Sequence, residues 1–243
     1  MSDDRLAARF DGQVAVVTGV GRSGQVGEAV ALEFARRGAT LALIGHSAEQ
    51  AEDRAAALRA EGLQVSAYGC DLTDAQAITD LAHRIATPSS GRIHVLANVA
   101  GGFTMSGPVA DSEPTVFARQ VAMNLGTAYC ATRAFLPYLR AARGAVVFVA
   151  SASVLPGGKA ANMSAYCAAK AGVVALMRAV AQEERANGVR ANAIAPTAIR
   201  TRANLDSMGD SFPYVEREAV ASMIAFLSSG AAANVSGQVI ELA

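Results

Sequence analysis

Tyr166 and Lys170 stand four residues apart in Tyr-Cys-Ala-Ala-Lys, inside a stretch with helical periodicity. That spacing puts a phenol and an ammonium on one helix face. A free tyrosine titrates near about pH 10 and is a weak acid–base group at neutrality. A neighbouring ammonium favours the phenolate and lowers that value toward a useful operating range. Such a pair alone is common on protein surfaces. Ser153 gives it a context, lying thirteen residues before Tyr166 and just beyond the apolar run Ala-Val-Val-Phe-Val-Ala at Ala145–Ala150. Strand ends of an open α/β sheet are where ligands gather. The turn Asn98-Val99-Ala100-Gly101 closes another apolar run on the same expected edge.

A second motif is Thr18-Gly19-Val20-Gly21-Arg22-Ser23-Gly24-Gln25-Val26-Gly27, between the first apolar run and a helical segment. Glycines permit a tight turn and close backbone approach, and a helix start offers free N–H groups and the positive dipole end. That is the arrangement a pyrophosphate requires, so Gly19, Gly21, Arg22, Ser23, Gln25 and Val26 are candidate cofactor contacts. A site preferring NAD usually carries an acid at the end of the second strand. Here that position reads Gly45-His46-Ser47, the first acid being Glu49. Its absence and the cation Arg22 favour NADP(H), with NAD(H) as the alternative. His46 is placed to touch the adenosine ribose. Asp71, followed by Leu72, ends the third apolar run; its carboxylate suits either the adenine amino group or a helix cap, a role Thr73 or Asp74 fills equally well.

These residues need strands and helices to position them. The apolar runs are Gln13–Thr18, Thr40–Ile44, Leu63–Tyr68, Ile93–Asn98, Ala145–Ala150, Val189–Ile194 and Gln238–Leu242. Between them, Val26–Arg37, Ser47–Glu61, Thr73–Ile85, Val116–Leu139 and Ser164–Asn187 carry apolar residues at helical steps. Near-continuous apolar strands suit a parallel sheet covered on both faces. The alternation predicts right-handed βαβ units and a Rossmann-type doubly wound α/β fold of seven parallel strands, with helices on both faces and residues 1–243 forming one domain.

Composition excludes several other classes. The 243 residues are 52% hydrophobic and 17% charged, too apolar for disorder. Twenty-one basic residues balance twenty-one acidic ones, so no net field draws the chain to nucleic acid or an anionic membrane. No run reaches the roughly 20 consecutive apolar residues of a spanning helix. The start, Met-Ser-Asp-Asp-Arg, lacks the apolar core of a secretion signal, and a cytoplasmic location is expected. Cys70, Cys130 and Cys167 are too few and too scattered for a disulfide framework or a zinc site, so no metal is expected.

Together these features resemble the classical short-chain dehydrogenases/reductases, most nearly the 3-oxoacyl-ACP reductases. The likeness runs from Gln13-Val14-Ala15-Val16-Val17-Thr18-Gly19 to Val235-Ser236-Gly237-Gln238, through the Ser153–Tyr166–Lys170 spacing and Asn192-Ala193-Ile194-Ala195-Pro196. The resemblance implies that Tyr166 protonates a carbonyl oxygen in reduction, or acts as base in oxidation. It implies that Lys170 lowers the Tyr166 pKa and holds the nicotinamide ribose, and that Ser153 bonds the substrate oxygen. Asn124, in Met123-Asn124-Leu125-Gly126, would be the fourth catalytic residue, placing Lys170 and a relay water. Asn98, Ala100 and Gly101 would line the cofactor cleft. Ile194, Pro196 and Thr197 would flank the nicotinamide, with Ile199 close by and Thr201 near the carboxamide.

The expected function is NADP(H)-dependent reduction of a ketone or 3-oxoacyl group to a secondary alcohol. The alternatives are an NAD-dependent secondary-alcohol dehydrogenase and a non-catalytic dinucleotide sensor. A small-molecule substrate is expected, with no nucleic-acid or membrane partner. The apolar helices Val116–Leu139 and Ser164–Asn187 imply a homodimer or homotetramer.

Four features depart from the family. The glycine loop is two residues longer than usual, with Gln25 where a glycine is common, a length resembling the enoyl-reductase branch. Thr197 replaces a glycine after Pro196. The segment from Thr201 to Ala219 is about ten residues shorter than in typical ketoacyl reductases, which predicts an open pocket. The final Ile240-Glu241-Leu242-Ala243 lacks the family's closing Asp-Gly-Gly. Lys159 and Met163 are candidates for the substrate entrance. Cys167 has no base beside it in sequence and reads as a packed thiol.

Overall fold

A computed structural model describes residues 9–243. The opening Met-Ser-Asp-Asp-Arg, on which the absence of a secretion signal was argued, lies outside the described residues. Each predicted apolar run forms a strand: β1 Val14–Thr18, β2 Thr40–Gly45, β3 Val65–Gly69, β4 Val95–Asn98, β5 Ala145–Val149 and β6 Arg190–Pro196. Two short strands follow, β7 Ile199–Arg200 and β8 Val215–Glu216, and then β9 Val239–Leu242. The main sheet runs β3-β2-β1-β4-β5-β6-β9, every neighbouring pair parallel. The strand order reverses between β1 and β4, and there a crevice opens at the carboxyl edge of the sheet.

The helices are α1 Val26–Arg36, α2 Ala48–Ala60, α3 Ala75–Ala86, α4 Pro114–Gln120, α5 Thr127–Ala142, α6 Ser164–Glu183, α7 Arg202–Met208 and α8 Arg217–Ser228. Strand side chains alternate between two cores, as the two-residue period of a strand requires. Ala15, Val17, Leu41 and Leu43 pack with Val30, Phe34, Leu58 and Ile224 of α1, α2 and α8. Val16, Ile44, Leu96 and Phe148 pack on the opposite face with Ile78, Phe135, Val173 and Met177 of α3, α5 and α6. With both faces covered, no strand of the sheet centre needs a polar side, which explains the near-continuous apolar runs.

The single helix expected over Val116–Leu139 is instead α4 and α5 joined by a π-helical turn, Val121–Gly126. Wide turns of this kind leave backbone carbonyls available, and they recur at functional sites. The Asn124 amide donates to the Gln120 carbonyl at 3.1 Å inside this turn.

Among the described residues, α6 is the one helix long and apolar enough to pass for a membrane span by length and composition. Its apolar character has a simpler cause, since Ala165, Ala169, Val173, Val174, Met177, Val180 and Ala181 are buried. The segment after β6 also differs from a plain short lid. β7 pairs with β8, and the Arg202 amide donates to the Gly24 carbonyl at 3.0 Å, tying the start of α7 to the glycine loop.

Candidate active site

β5 delivers its carboxyl end to the crevice, and Ser151 and the short turn Ala152–Val154 follow directly. The Ser151 and Ser153 hydroxyls lie 2.9 Å apart, and the Ser153 amide donates to Ser151 Oγ at 3.3 Å. Two consecutive bonds to one partner fix the direction of Ser153. Tyr166 sits in the first turn of α6 and Lys170 one turn further on. Lys170 Nζ donates to the Val149 carbonyl, the last of β5, at 2.8 Å and lies 5.7 Å from the Tyr166 ring centre. One helix and one strand end therefore gather phenol, ammonium and hydroxyl.

Asn124 approaches from the π turn. Its Nδ2 donates to the Gly102 carbonyl at 2.9 Å, and its Oδ1 accepts from the Gly102 amide at 3.2 Å. A side chain at Gly101 would lie 2.6 Å from Asn124 Oδ1 and 3.5 Å from Lys170 Nζ, so Asn124, Gly101 and Lys170 converge. A cavity of about 160 Å³ opens among Gly101, Phe103, Asn124, Tyr166, Lys170 and Thr201. Phe103 meets Tyr166 edge to face, ring centres 5.0 Å apart.

Burial governs both ionisable groups. Lys170 is 5% exposed, and desolvation brings its ammonium down to about 8. Burial also raises the Tyr166 phenol, with the Ser151 hydroxyl pulling downward and the Cys167 thiol pushing upward. The expectation of a phenol lowered by Lys170 is therefore corrected for these residues taken alone. Removing a charge from water costs more here than the Ser151 hydrogen bond returns. At neutral pH the phenol keeps its proton, and the ammonium is close to releasing one.

The cofactor side is a cradle of backbone. Gly19 has φ +76°, and a Cβ there would meet the Ala100 backbone at 2.6 Å; one at Gly27 would meet the Gly19 carbonyl oxygen at 2.5 Å. Thr18 Oγ1 accepts from the Val99 and Ala100 amides at 3.1 and 3.2 Å, holding the β4 turn against the loop. Ser47 and Asp74 cap α2 and α3 with side-chain oxygens, whereas Gln25 offers α1 no such bond. The free N–H groups at the α1 start, the glycine cradle, and a buried ammonium bonded to a single carbonyl together fit a dinucleotide.

Other expected contacts divide by position. Gly21 and Val26 flank this loop, and Val26 and Ile199 reach the cavity beside Lys170. Arg22 and Ser23 are exposed; Arg22 has no ion-pair partner among the described residues, while Ser23 Oγ donates to Glu28 at 3.0 Å. His46 is exposed, and it lies near enough to Asp71 to favour that carboxylate. Asp71 Oδ1 accepts from the Thr73 amide at 2.9 Å and hydroxyl at 2.7 Å, and Asp74, not Asp71, caps α3. Leu72 is buried in the core, leaving only its backbone for a ligand. The Asn98 side chain is likewise buried and donates to Thr132 at 2.9 Å, so its amide serves the fold. Pro196 is buried at the end of β6, while Thr197 is exposed beyond it. Thr201 Oγ1 accepts from the Asn204 amide at 3.2 Å, capping α7 at the cavity edge.

Sequence reasoning overlooked Ser151, whose only signal was the Ser-Ala-Ser pattern after β5. It also overlooked Phe103 and Glu28. Glu28 Oε2 accepts from the Gly24 amide at 2.7 Å, and the carboxylate pairs with Arg54 and Arg217 at 3.0 and 3.4 Å. Glu28 thus braces the lengthened glycine loop from within, a role no local motif announces.

This fold and this meeting of groups define a dinucleotide-dependent oxidoreductase, and comparison with known proteins agrees. Residues 13–209 match the short chain dehydrogenase family, to which the chain belongs. It is 36% identical over 247 residues to a (5R,7aS)-5-hydroxy-7a-methyl-1-oxo-2,3,5,6,7,7a-hexahydro-1H-indene-carboxyl-CoA reductase of Mycobacterium tuberculosis, covering 96% of this chain and 92% of the relative. It is also 36% identical to a cis-4-hydroxycyclohexanecarboxylate dehydrogenase of Sinomonas cyclohexanicum, covering 97% and 96% respectively. A crystal structure of a short chain dehydrogenase from Mycobacterium smegmatis superposes with a TM-score of 0.84 at 30% identity, covering 97% of this chain and 93% of that one. The chain is an oxidoreductase of CH–OH and C=O groups using NAD(P).

Proposed function

We propose that this chain reduces a ketone or 3-oxoacyl group to a secondary alcohol with NADP(H), Tyr166 acting as general acid. The observation that carries this reading is the phenol held protonated by burial beside Lys170 and Ser151, whose hydroxyl in turn meets Ser153. A reduced nicotinamide, when bound, supplies the hydride. Ser153, oriented by Ser151, donates to the carbonyl oxygen and stabilises the charge that develops there. Tyr166 Oη delivers the proton to that same oxygen. Lys170 holds the nicotinamide ribose, and its positive charge beside the phenol eases proton loss. Asn124 keeps the Gly101–Gly102 backbone in place through its two bonds to Gly102.

NADP(H) is favoured over NAD(H) because β2 ends in Gly45-His46 without an acid, and Arg22 is exposed and unpaired among the described residues. His46, next to Asp71, completes the adenosine end. The substrate mouth carries an apolar ring: Phe103 lines the cavity and is 53% exposed. A carbonyl carried on an apolar, ring-sized skeleton suits that rim better than a polyol. The remaining exposed apolar surface includes Phe117 of α4 and Tyr129 of α5 beside α6, and supports a homodimer or homotetramer formed through these helices. The same reading treats the chain as one cytoplasmic domain.

A carbonyl panel assayed with NADPH and NADH separately tests the proposal. Oxidation of NADPH by alicyclic or 3-oxoacyl ketones is the expected result. Turnover confined to NADH with open-chain polyols or diketones would overturn the cofactor and substrate assignments.

A further inference from the structure

A wide cleft lies at the other edge of the sheet. It measures about 930 Å³ and is walled by residues that precede strands: Gln13 before β1, His94 before β4, Gly144 before β5 and Val189 before β6. Four arginines line it, Arg143, Arg178, Arg185 and Arg190, and among the described residues no Asp or Glu does. None of the four joins an ion pair among the described residues. The nearby carboxylate Glu184 is buried and committed, accepting from Arg140 at 2.7 and 2.6 Å and from Asn187 at 2.8 Å. In a chain whose charges balance overall, this is a local excess of four.

Helix ends account for part of that excess. In this topology α5, α6 and α8 point their carboxyl ends at the amino edge of the sheet, and cations there complement the macrodipoles. Each end is worth about −0.5 charge, so three offset about 1.5 of the four positive charges. Arg178, moreover, lies before the last turn of α6, which contains no basic residue. Arg190 is anchored by the α8 end, donating to the carbonyls of Leu227 at 2.6 Å and Ser229 at 3.0 Å. Its guanidinium is therefore fixed in direction while still carrying a charge that no carboxylate answers. Arg143 is steadied in a different way, its stem lying 3.3 Å from where a Cβ on Gly188 would be.

We infer that this cleft binds a small, multiply charged phosphate compound, one with two or more phosphoryl groups. Guanidinium forks match phosphoryl oxygens in pairs, and a cleft of this volume admits a diphosphate with room for a carrier group. The site is separate from the cofactor crevice, because the sheet lies between the two edges. α6 joins them, bearing Tyr166 and Lys170 near its start and Arg178 near its end.

Inorganic pyrophosphate is the probe, titrated calorimetrically into full-length protein saturated with NADPH, so that the glycine loop does not compete. Saturable binding is expected, weakened about tenfold or more in the Arg178→Ala/Arg185→Ala double variant. Both residues are exposed, so the variant should melt within a degree or two of the parent without ligand. An Arg178→Lys/Arg185→Lys variant should bind with intermediate affinity, having the charge without the fork. Equal affinity in parent and alanine variant would overturn the inference, placing the anion elsewhere. So would heat reproduced by sodium chloride at matched ionic strength, or an absence of binding, as when another copy of the chain covers the cleft.

Discussion

The two ends of the crevice are built on different principles. At the reaction end, Lys170, Asn124 and Ser151 are buried, and each meets a partner from another part of the fold: the Val149 carbonyl, Gly102 and Tyr166 respectively. At the adenosine end, Arg22 and His46 are exposed, and Asp71 is organised by its own neighbour Thr73. Burial makes electrostatic interactions strong and exacting, whereas exposed charges are screened and individually modest. On the proposed function, chemistry is concentrated in a few buried groups, and cofactor preference is spread over several exposed ones.

The contrast can be broken most sharply at Tyr166. Tyr166→Phe is expected to lower kcat by about 10²–10⁴ while leaving NADPH affinity unchanged, as fluorescence titration would show. Its raised phenol also sets a pH dependence. The acid form required for reduction persists through neutrality, so kcat/KM for reduction should stay level there, while oxidation, which needs the base, should climb with pH. A flat oxidation profile from about pH 6 to pH 9 would contradict this.

Lys170→Met should cost about 10²-fold in kcat yet raise the melting temperature at pH 7 by about 2–4 °C, by removing an unpaired buried charge. The sign follows from the depressed folded value. Whatever stability Lys170 contributes is complete above the unfolded value of 10.5 and lost as pH falls through about 8. The gap between parent and variant should accordingly narrow as pH rises across that window, as melting curves would show.

Smaller effects belong to the adenosine end. Arg22→Ala should weaken NADPH by about tenfold and NADH by roughly twofold or less. Equal losses for both would mean that Arg22 meets the shared pyrophosphate instead of the 2′-phosphate. Glu28→Gln should have the least effect. Burial pulls this carboxyl upward, but the Gly24 amide, Arg54 and Ser23 hold it below its usual value. Its contribution exists above the unfolded value of 4.5 and is lost as pH falls through the folded one. A drop in melting temperature of about 2 °C or less at pH 7, vanishing in acid, is expected.

The same contrast explains what the sequence revealed. The five inner strands of the main sheet were legible because burial on both faces leaves a nearly continuous apolar run, whereas the edge strands β3 and β9 are only partly buried and showed shorter runs mixed with polar residues. Tyr166, Lys170 and Ser153 were legible through spacing along one helix and one strand end. The π turn holding Asn124 was hidden, since α, π and α segments share one apolar pattern. Glu28 was hidden for another reason. Its partners Arg54 and Arg217 lie 26 and 189 residues away, and no local window contains them. The direction of the Tyr166 shift also escaped, because sequence shows the neighbouring ammonium but not the loss of water around both groups.

A crystal structure with NADPH bound tests the central claim most directly. The nicotinamide ribose hydroxyls should lie within hydrogen-bond reach of Lys170, with the reactive ring carbon facing a space between Tyr166 Oη and Ser153 Oγ that holds a carbonyl at about 3–3.5 Å. A nicotinamide seated away from those three side chains, with the cofactor otherwise ordered, would contradict the account.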